Sequence, residues 1–125
     1  MPFPAVGDLA FEVDVCSFRG DDGPYEEVAL RFPAAQLAFK LREDGLFAAH
    51  YIPRLQIFDA DGSIVKKMAG ERVFVSVQNP PDANLFVDDI ARFQLPPGRY
   101  RAGLEIEDVE SRKKGQAEFD ILVPE

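Results

Sequence analysis

The sequence predicts an all-β protein, a two-sheet antiparallel β-sandwich with about seven to nine strands. Apolar and polar residues alternate with a period of two along nearly every segment. Clusters of Gly, Pro, Asp and Asn recur at short intervals, and no long segment shows the roughly 3.6-residue period of an amphipathic helix. The 125 residues are the size of one domain, and no internal linker divides them, so we expect a single domain over residues 1–125.

The first predicted strand covers residues 9–18. Successive side chains on a strand point to opposite faces, so its polar residues, Glu12 and Asp14, are expected to face solvent. The apolar residues between them are expected to face the core: Phe11, Val13 and Val15. The cluster RGDDGP (19–24) predicts a turn. A second alternating strand follows over residues 27–32 and is stopped by Pro33.

The next two segments are also predicted to be strands. In residues 34–41 a strand is favoured because it places the large apolar residues on one face: Leu37, Phe39 and Leu41. Residues 42–45 predict a turn. In the long segment 46–59, alternate residues are predicted to face the core: Phe47, Ala49, Tyr51, Leu55 and Ile57. Pro53 interrupts this segment and cannot donate to a ladder, which predicts an edge or bulge position.

The second half of the chain continues the pattern. Residues 59–63 (DADGS) predict a hairpin turn in which Gly62 supplies a positive φ. Residues 63–78 return as one long strand or two, 79–84 read as a loop, and 85–95 become extended towards their end. Residues 108–116 predict a hairpin loop before the final strand, 117–123.

The stretch LPPGRYRAGLEIED (95–108) is the most informative. Pro97 and Gly98 predict a turn between two sheets, and a cleanly alternating strand follows. A tyrosine directly after such a corner, Tyr100, is typical of the tyrosine corner of Greek-key sandwiches. We therefore expect an immunoglobulin-like or fibronectin III-like sandwich, with the Tyr100 ring buried and its hydroxyl bonded to backbone within residues 93–98.

The composition argues against several functions. The formal net charge of −8 repels phosphate backbones and anionic lipids, so we expect neither nucleic-acid binding nor membrane insertion. The single cysteine, Cys16, forms no internal disulfide, and no basic neighbour except Arg19 supports a reactive role. Residues 1–8 show neither a basic nor an apolar region of a signal peptide, so we expect no signal peptide there.

We also expect no catalytic residues and no cofactor. The only histidine, His50, is predicted to lie in mid-strand facing solvent or at an edge, and no serine lies in a GxSxG motif. With one histidine and one cysteine, we expect no zinc site. Acidic pairs in predicted loops leave calcium binding open as an alternative; they are Asp21, Asp22, Asp59, Asp61, Asp88 and Asp89. Carbohydrate binding is a second alternative, weakened by the absence of Trp, although Tyr25 and Tyr51 remain.

Three segments carry a resemblance to a known family: residues 11–33, 37–65 and 93–115, with their strand patterns, DxDG turn and PPGxY corner. Together they resemble the N-terminal β-sandwich region of bacterial GWxTD domain-containing proteins. The GWxTD motif itself is absent from this chain. The resemblance implies an envelope or exported setting within a larger bacterial protein, and an interaction role.

The predicted function is therefore a non-catalytic interaction or spacer module, whose partner is another protein or a second copy of the chain in a homodimer. Four apolar residues fall on the phase predicted to face outward: Ile52, Phe58, Phe74 and Leu122. Pro53 and the pair Lys66–Lys67 are interpreted as devices that blunt one sheet edge. The first strand has no such device, so we predict that partner contact involves its residues 11–15: Phe11, Glu12, Val13, Asp14 and Val15.

Overall fold

The structure, a computed structural model, describes residues 3, 4 and 6–125. This part of the chain contains eleven strands and one short 3₁₀ helix, and the strands form two antiparallel sheets. The predicted all-β sandwich is thus confirmed. The elements are β1 (Phe3–Pro4), β2 (Val6–Gly7), β3 (Glu12–Gly20), β4 (Gly23–Pro33), the 3₁₀ helix (Ala34–Gln36), β5 (Lys40–Leu41), β6 (Phe47–Phe58), β7 (Ile64–Ala69), β8 (Arg72–Ser76), β9 (Phe86–Phe93), β10 (Gly98–Asp108) and β11 (Lys114–Val123).

The first sheet has the order β1-β3-β4-β9. The second has the order β2-β11-β10-β6, with β7 and β8 following one another along the far side of β6 and β5 paired to the start of β6. The chain leaves β8 in the second sheet, returns in β9 beside β4, and crosses back to place β10 beside β6. These crossings give the Greek-key, immunoglobulin-like arrangement that the sequence predicts.

The core lies between the sheets and consists of the inward-facing rows of both. The predicted alternation holds in β3, where Val13 is fully buried while Glu12 and Asp14 are exposed. It also holds in β6, where Tyr51, Leu55 and Ile57 are buried. Because every second residue of the long strands is apolar, the two inner faces bury one continuous cluster of side chains.

The tyrosine corner is present at the passage from β9 to β10. The Tyr100 hydroxyl donates a hydrogen bond to the backbone carbonyl of Pro96 over 2.6 Å, within the predicted upstream residues. Pro97 is exposed, and Gly98 begins β10 with a φ of 153°. The ring packs against the core but is half-buried rather than buried as expected, because it lies at the end of the sandwich.

The prediction of a strand over residues 34–41 is wrong. A 3₁₀ helix over Ala34–Gln36 follows Pro33, and only Lys40–Leu41 pairs as a strand. Long-range hydrogen bonds hold this segment as it crosses between the sheets: the Gln36 side-chain amide bonds both the N–H and the carbonyl of Ala10. Leu37 is buried and Phe39 half-buried, but Leu41 is 67% exposed.

Pro53 does not mark a sheet edge, because β6 is an internal strand with β10 on one side and β7 and β8 on the other. The expected irregularity is found in the neighbouring strand instead. β7 and β8 are separated by Gly70 and Glu71, opposite the proline, where a ladder hydrogen bond from its nitrogen is missing.

Phe74 was expected to face outward, and this is also wrong. It pairs with inward-facing Ala49, is half-buried, and packs edge-to-face against Phe39 with ring centroids 6.3 Å apart. The outward positions of β8 belong to Val73 and Val75. Of the other three residues predicted to face outward, Ile52 and Phe58 are half-buried and Leu122 is exposed, on strands separated by β10.

Candidate functional site

A cleft opens between the two sheets on the side where β9 ends the first sheet and β7 and β8 end the second. Its volume is about 350 Å³. The floor is formed by residues of the core itself: Val28, Leu30, Leu55 and Leu104. Met68 of β7 and Ala91 of β9 line its two sides. A largely apolar cavity of this size with a few polar groups at its margin is the usual form of a small binding site.

The register of the strands explains why the cleft exists. Ala91 pairs with inward-facing Val28, and Met68 pairs with inward-facing Leu55, so both side chains face the space between the sheets. At this level β9 contributes only a methyl group, which cannot reach across to the other sheet. Protein interiors are normally close-packed, so the short side chain of Ala91 leaves space that a larger residue would fill.

At one end the cleft is closed by an ion pair between the two sheet edges. Asp89 points inward from β9, and its Oδ2 lies 3.3 Å from Nε of Arg72 on β8. The same oxygen accepts a hydrogen bond of 3.1 Å from the hydroxyl of buried Tyr51. Burial of the ring is the main cause that raises the pKa of Tyr51, and the neighbouring Asp89 carboxylate raises it further, so the phenol remains a donor.

The basic residues around the cleft are not equally compensated. Arg72 is neutralised by Asp89. Lys67 also borders the cleft, with its side chain on the outward face opposite Gln56, whereas Lys66 faces inward opposite Ile57; neither makes an ion pair with any residue that the structure describes. An uncompensated pair of cations therefore lies beside an apolar cavity, on a chain whose formal net charge is −8.

The edge beside the cleft carries exposed apolar side chains. Within the described residues, β7 and β8 pair only with β6, so their other side presents unpaired backbone groups. Val73 is 54% exposed, Val75 42%, and Val77, just beyond β8, 80%. β9 likewise pairs only with β4 in this part of the chain. Two open edges therefore flank the cleft.

The predicted contact strand is less accessible than the sequence suggested. Phe11 and Val13 are buried in the core, and Val15 is half-buried. β1 already pairs with Glu12 and Val13, and the rest of β3 pairs only with β4 among the described residues. What stays open is the distal half of β3, where Phe18 stacks on Tyr25 with ring centroids 5.4 Å apart.

The residues weighed for catalysis make separate contacts in the part of the chain that the structure describes. His50 faces outward from β6, with its Nδ1 3.0 Å from a carboxylate oxygen of Glu71. Ser111 donates instead to Asp108, over 2.6 Å. Cys16 is exposed on the outer face of the first sheet. Among the described residues, His50, Ser111 and Cys16 are thus engaged separately or exposed, and no hydrogen bond links one of them to another.

The acidic pairs lie apart in the fold. Asp21 and Asp22 form the β3–β4 turn, and Asp59 shapes the β6–β7 turn by accepting the backbone N–H groups of Asp61 and Ser63. Asp88 and Asp89 were expected in a loop but lie within β9. Among residues 3, 4 and 6–125, no three His, Cys, Asp or Glu side chains are grouped to hold a metal ion. No helix in the same residues is long and apolar enough to cross a membrane.

One buried carboxylate has a structural role. Asp108 is fully buried at the end of β10, and its Oδ2 accepts hydrogen bonds from the backbone N–H of Ala38 and the hydroxyl of Ser111. These bonds attach the crossing segment after the 3₁₀ helix to the β10–β11 hairpin. The other oxygen, Oδ1, has no hydrogen-bond partner among the described residues.

The outer face of the second sheet is polar and carries a second depression of about 320 Å³. It lies over Gly103, where an added Cβ would meet open space. Its other lining residues include Arg54, Gln56, Glu105, Gln116 and Glu118. Arg54 bridges Glu105 at 2.9 Å and Glu107 at 2.8 Å, and this contact is the main cause that lowers the pKa of Glu107.

The sequence analysis did not find the cleft, although β9 carries a signal for it. Its inward positions are Val87, Asp89, Ala91 and Phe93. An acidic residue and a small residue between two large apolar ones break the otherwise apolar inner row. The partners of these two residues come from the other sheet, so the alternation of β9 alone does not reveal the cleft.

Comparison with known proteins adds no relative. The sequence matches no protein-family model, and it matches no curated protein.

Proposed function

We propose that the chain is a non-catalytic interaction module that binds a segment of another protein by strand addition at the edge formed by β7 and β8. The observation that carries this proposal is the unpaired, valine-bearing edge beside the cleft. An extended segment placed along such an edge gains main-chain hydrogen bonds, while its alternate side chains give specificity.

The lysines of β7 are consistent with this function. They are also consistent with the role predicted from the sequence, in which they disfavour edge-to-edge pairing. In a pairing of two identical edges, Lys66 and Lys67 would approach their own copies, which is unfavourable. A segment carrying acidic residues meets no such repulsion. The edge is therefore protected against self-association and open to a partner of opposite charge.

We further propose that the module belongs to a larger, exported bacterial protein. Support for this setting comes from the resemblance of residues 11–33, 37–65 and 93–115 to the sandwich region of GWxTD proteins. The sequence that flanks this chain in its gene tests the setting. An upstream signal peptide and a downstream GWxTD segment are expected, and an adjoining catalytic domain would favour an enzyme-accessory role instead.

Strand addition is tested by selecting phage-displayed random peptides on the immobilised protein and measuring amide hydrogen exchange with and without a selected peptide. We expect slower exchange at residues 64–76. Val75→Pro, at the exposed edge, is expected to abolish binding, whereas Ala60→Pro, at an exposed position of the β6–β7 turn that tolerates proline, serves as a matched proline control. Protection confined to the distal half of β3 would instead support the contact predicted from the sequence. If no peptide is selected, the proposed function is wrong.

A second candidate function, carbohydrate binding, is favoured by the depression over Gly103. Its amide, guanidinium and carboxylate groups are suited to hydrogen bonding with sugar hydroxyls. Because a Cβ at Gly103 would enter open space, Gly103→Val should fill the depression without a clash. Binding to a glycan array that is lost in this variant would support the candidate, and an array with no binding would reject it.

A further inference from the structure

The cleft has a shape that calls for an occupant from outside the chain. Its floor consists of core side chains, yet the space between Met68 and Ala91 is open to solvent. Water contact with the apolar lining of the cleft is unfavourable, and burying that lining stabilises a complex. An apolar group that enters from outside would complete the core at this position.

The surroundings of the cleft indicate that this group belongs to a peptide. β7 on one side and β9 on the other both present unpaired backbone groups among the described residues. A fatty acid cannot satisfy those groups, whereas an extended chain can. Side chains alternate along a strand, so a segment bound to either edge would direct every second side chain between the sheets.

The charges indicate what accompanies the apolar group. Arg72 is held by Asp89, so it is not free to neutralise a ligand. Lys67 borders the cleft with its side chain on the outward face, and Lys66 faces inward like Met68; neither makes an ion pair among the described residues. A carboxylate on the residue next to the apolar one would face outward with Lys67 and complement that cation.

We infer that the cleft is the anchor site for one large apolar side chain of an extended peptide, flanked by an acidic residue that pairs with Lys67. This inference rests on the proposed function, because it names the chemistry of the segment that adds to the edge. A second copy of the chain is a poorer occupant, since two copies each carry a net charge of −8.

The test uses fluorescent synthetic peptides with capped ends and an alternating Thr-Ser host sequence. The central residue is varied among Leu, Phe and Ala, and its neighbour among Glu, Gln and Lys. Fluorescence anisotropy measures binding to the whole chain. We expect the Leu–Glu and Phe–Glu peptides to bind, and the Ala peptides to bind roughly ten to a hundred times more weakly. Replacing Glu by Lys is expected to weaken binding about threefold to fivefold at low salt, and less at high salt.

Protein variants assign the binding to the cleft. Ala91→Phe fills the cavity and should abolish binding of the Leu–Glu peptide, while Ala35→Phe, at the exposed position of the 3₁₀ helix, should not. Lys67→Glu should remove the preference for an acidic neighbour. Lys113→Glu, on the exposed β10–β11 hairpin, makes the same change in net charge and should retain that preference. Thermal unfolding of each variant shows that it remains folded, and Ala91→Leu is the milder substitute if Ala91→Phe does not fold.

The outcomes separate this inference from the proposed function. Peptides that protect residues 64–76 from exchange but bind equally well to the cleft-filled variant would refute the anchor site and leave strand addition standing. Decanoate that binds in the cleft while none of the peptides does would identify a lipid site and overturn the inference. No binding of any peptide overturns both. Sedimentation showing a dimer that Ala91→Phe dissociates would identify a second copy as the occupant.

Discussion

Filling the cleft should stabilise the protein, which is unusual for a substitution at a core-facing position. Leu at position 91 adds three carbon atoms in a space of about 350 Å³. Burial of each is worth about 0.8 kcal/mol, an upper bound of roughly 2.4 kcal/mol. Fixing the new side chain costs about 0.5–1 kcal/mol of conformational entropy. We therefore expect Ala91→Leu to raise the free energy of unfolding by about 1–2 kcal/mol.

Urea unfolding followed by circular dichroism measures this change, and a thermal melt should rise by roughly 5 °C. The matched control is Ala102→Leu, at an inward position of β10 that is only 3% exposed. Overpacking there is expected to destabilise the protein by about 1–3 kcal/mol. A loss of stability in Ala91→Leu, comparable to that in Ala102→Leu, would refute the argument that the cleft is empty space kept open for a ligand.

Four further predictions concern the tyrosine corner, the ionisation of Glu107, calcium binding and hydrolytic activity. Tyr100→Phe removes the hydroxyl bond to Pro96 and should cost about 1 kcal/mol in urea unfolding; no change would contradict a structural role for the corner. Glu107→Gln should destabilise the protein at neutral pH, where the ionised carboxylate stabilises the fold, as its lowered pKa indicates. The difference in free energy of unfolding between variant and parent should shrink as the pH falls below about 4, because the carboxylate then becomes protonated. Melting curves with chelator and with about 1 mM calcium should coincide, and a rise of several degrees with calcium would revive the calcium-binding alternative. Purified protein should not hydrolyse generic esters or peptides; turnover that His50→Ala abolishes would show that the chain is an enzyme.

The fold was predictable because its evidence is local. Alternation in β3, β4, β6 and β10 assigns each residue to one face, and one face must be buried. The tyrosine corner was predictable for the same reason, since the hydroxyl and its acceptor at Pro96 are four residues apart. The accessibility of β3 was not predictable, because the pairing of β1 with Glu12 and Val13 is not visible in the pattern of β3.

Predictions from the sequence were wrong where the pattern of apolar residues was ambiguous, or where strand pairing determines the position or facing of a residue. Val73, Phe74 and Val75 are all apolar, so a period of two cannot say which of them faces the core. The register of β8 with β6 decides it, by placing Phe74 opposite Ala49. Pro53 shows the same limit: its chemistry predicts a break in a ladder, but only the arrangement of neighbouring strands puts that break between β7 and β8.

The sequence by itself determined the class of fold, the position of most strands and the tyrosine corner, because these depend on the side chains and turns of consecutive residues. The tertiary structure alone decided the candidate site. The cleft depends on Ala91 in one sheet facing Met68 in the other, and on Asp89 meeting Arg72 and Tyr51 across the gap. These residues come from four strands, and packing of the two sheets brings them together.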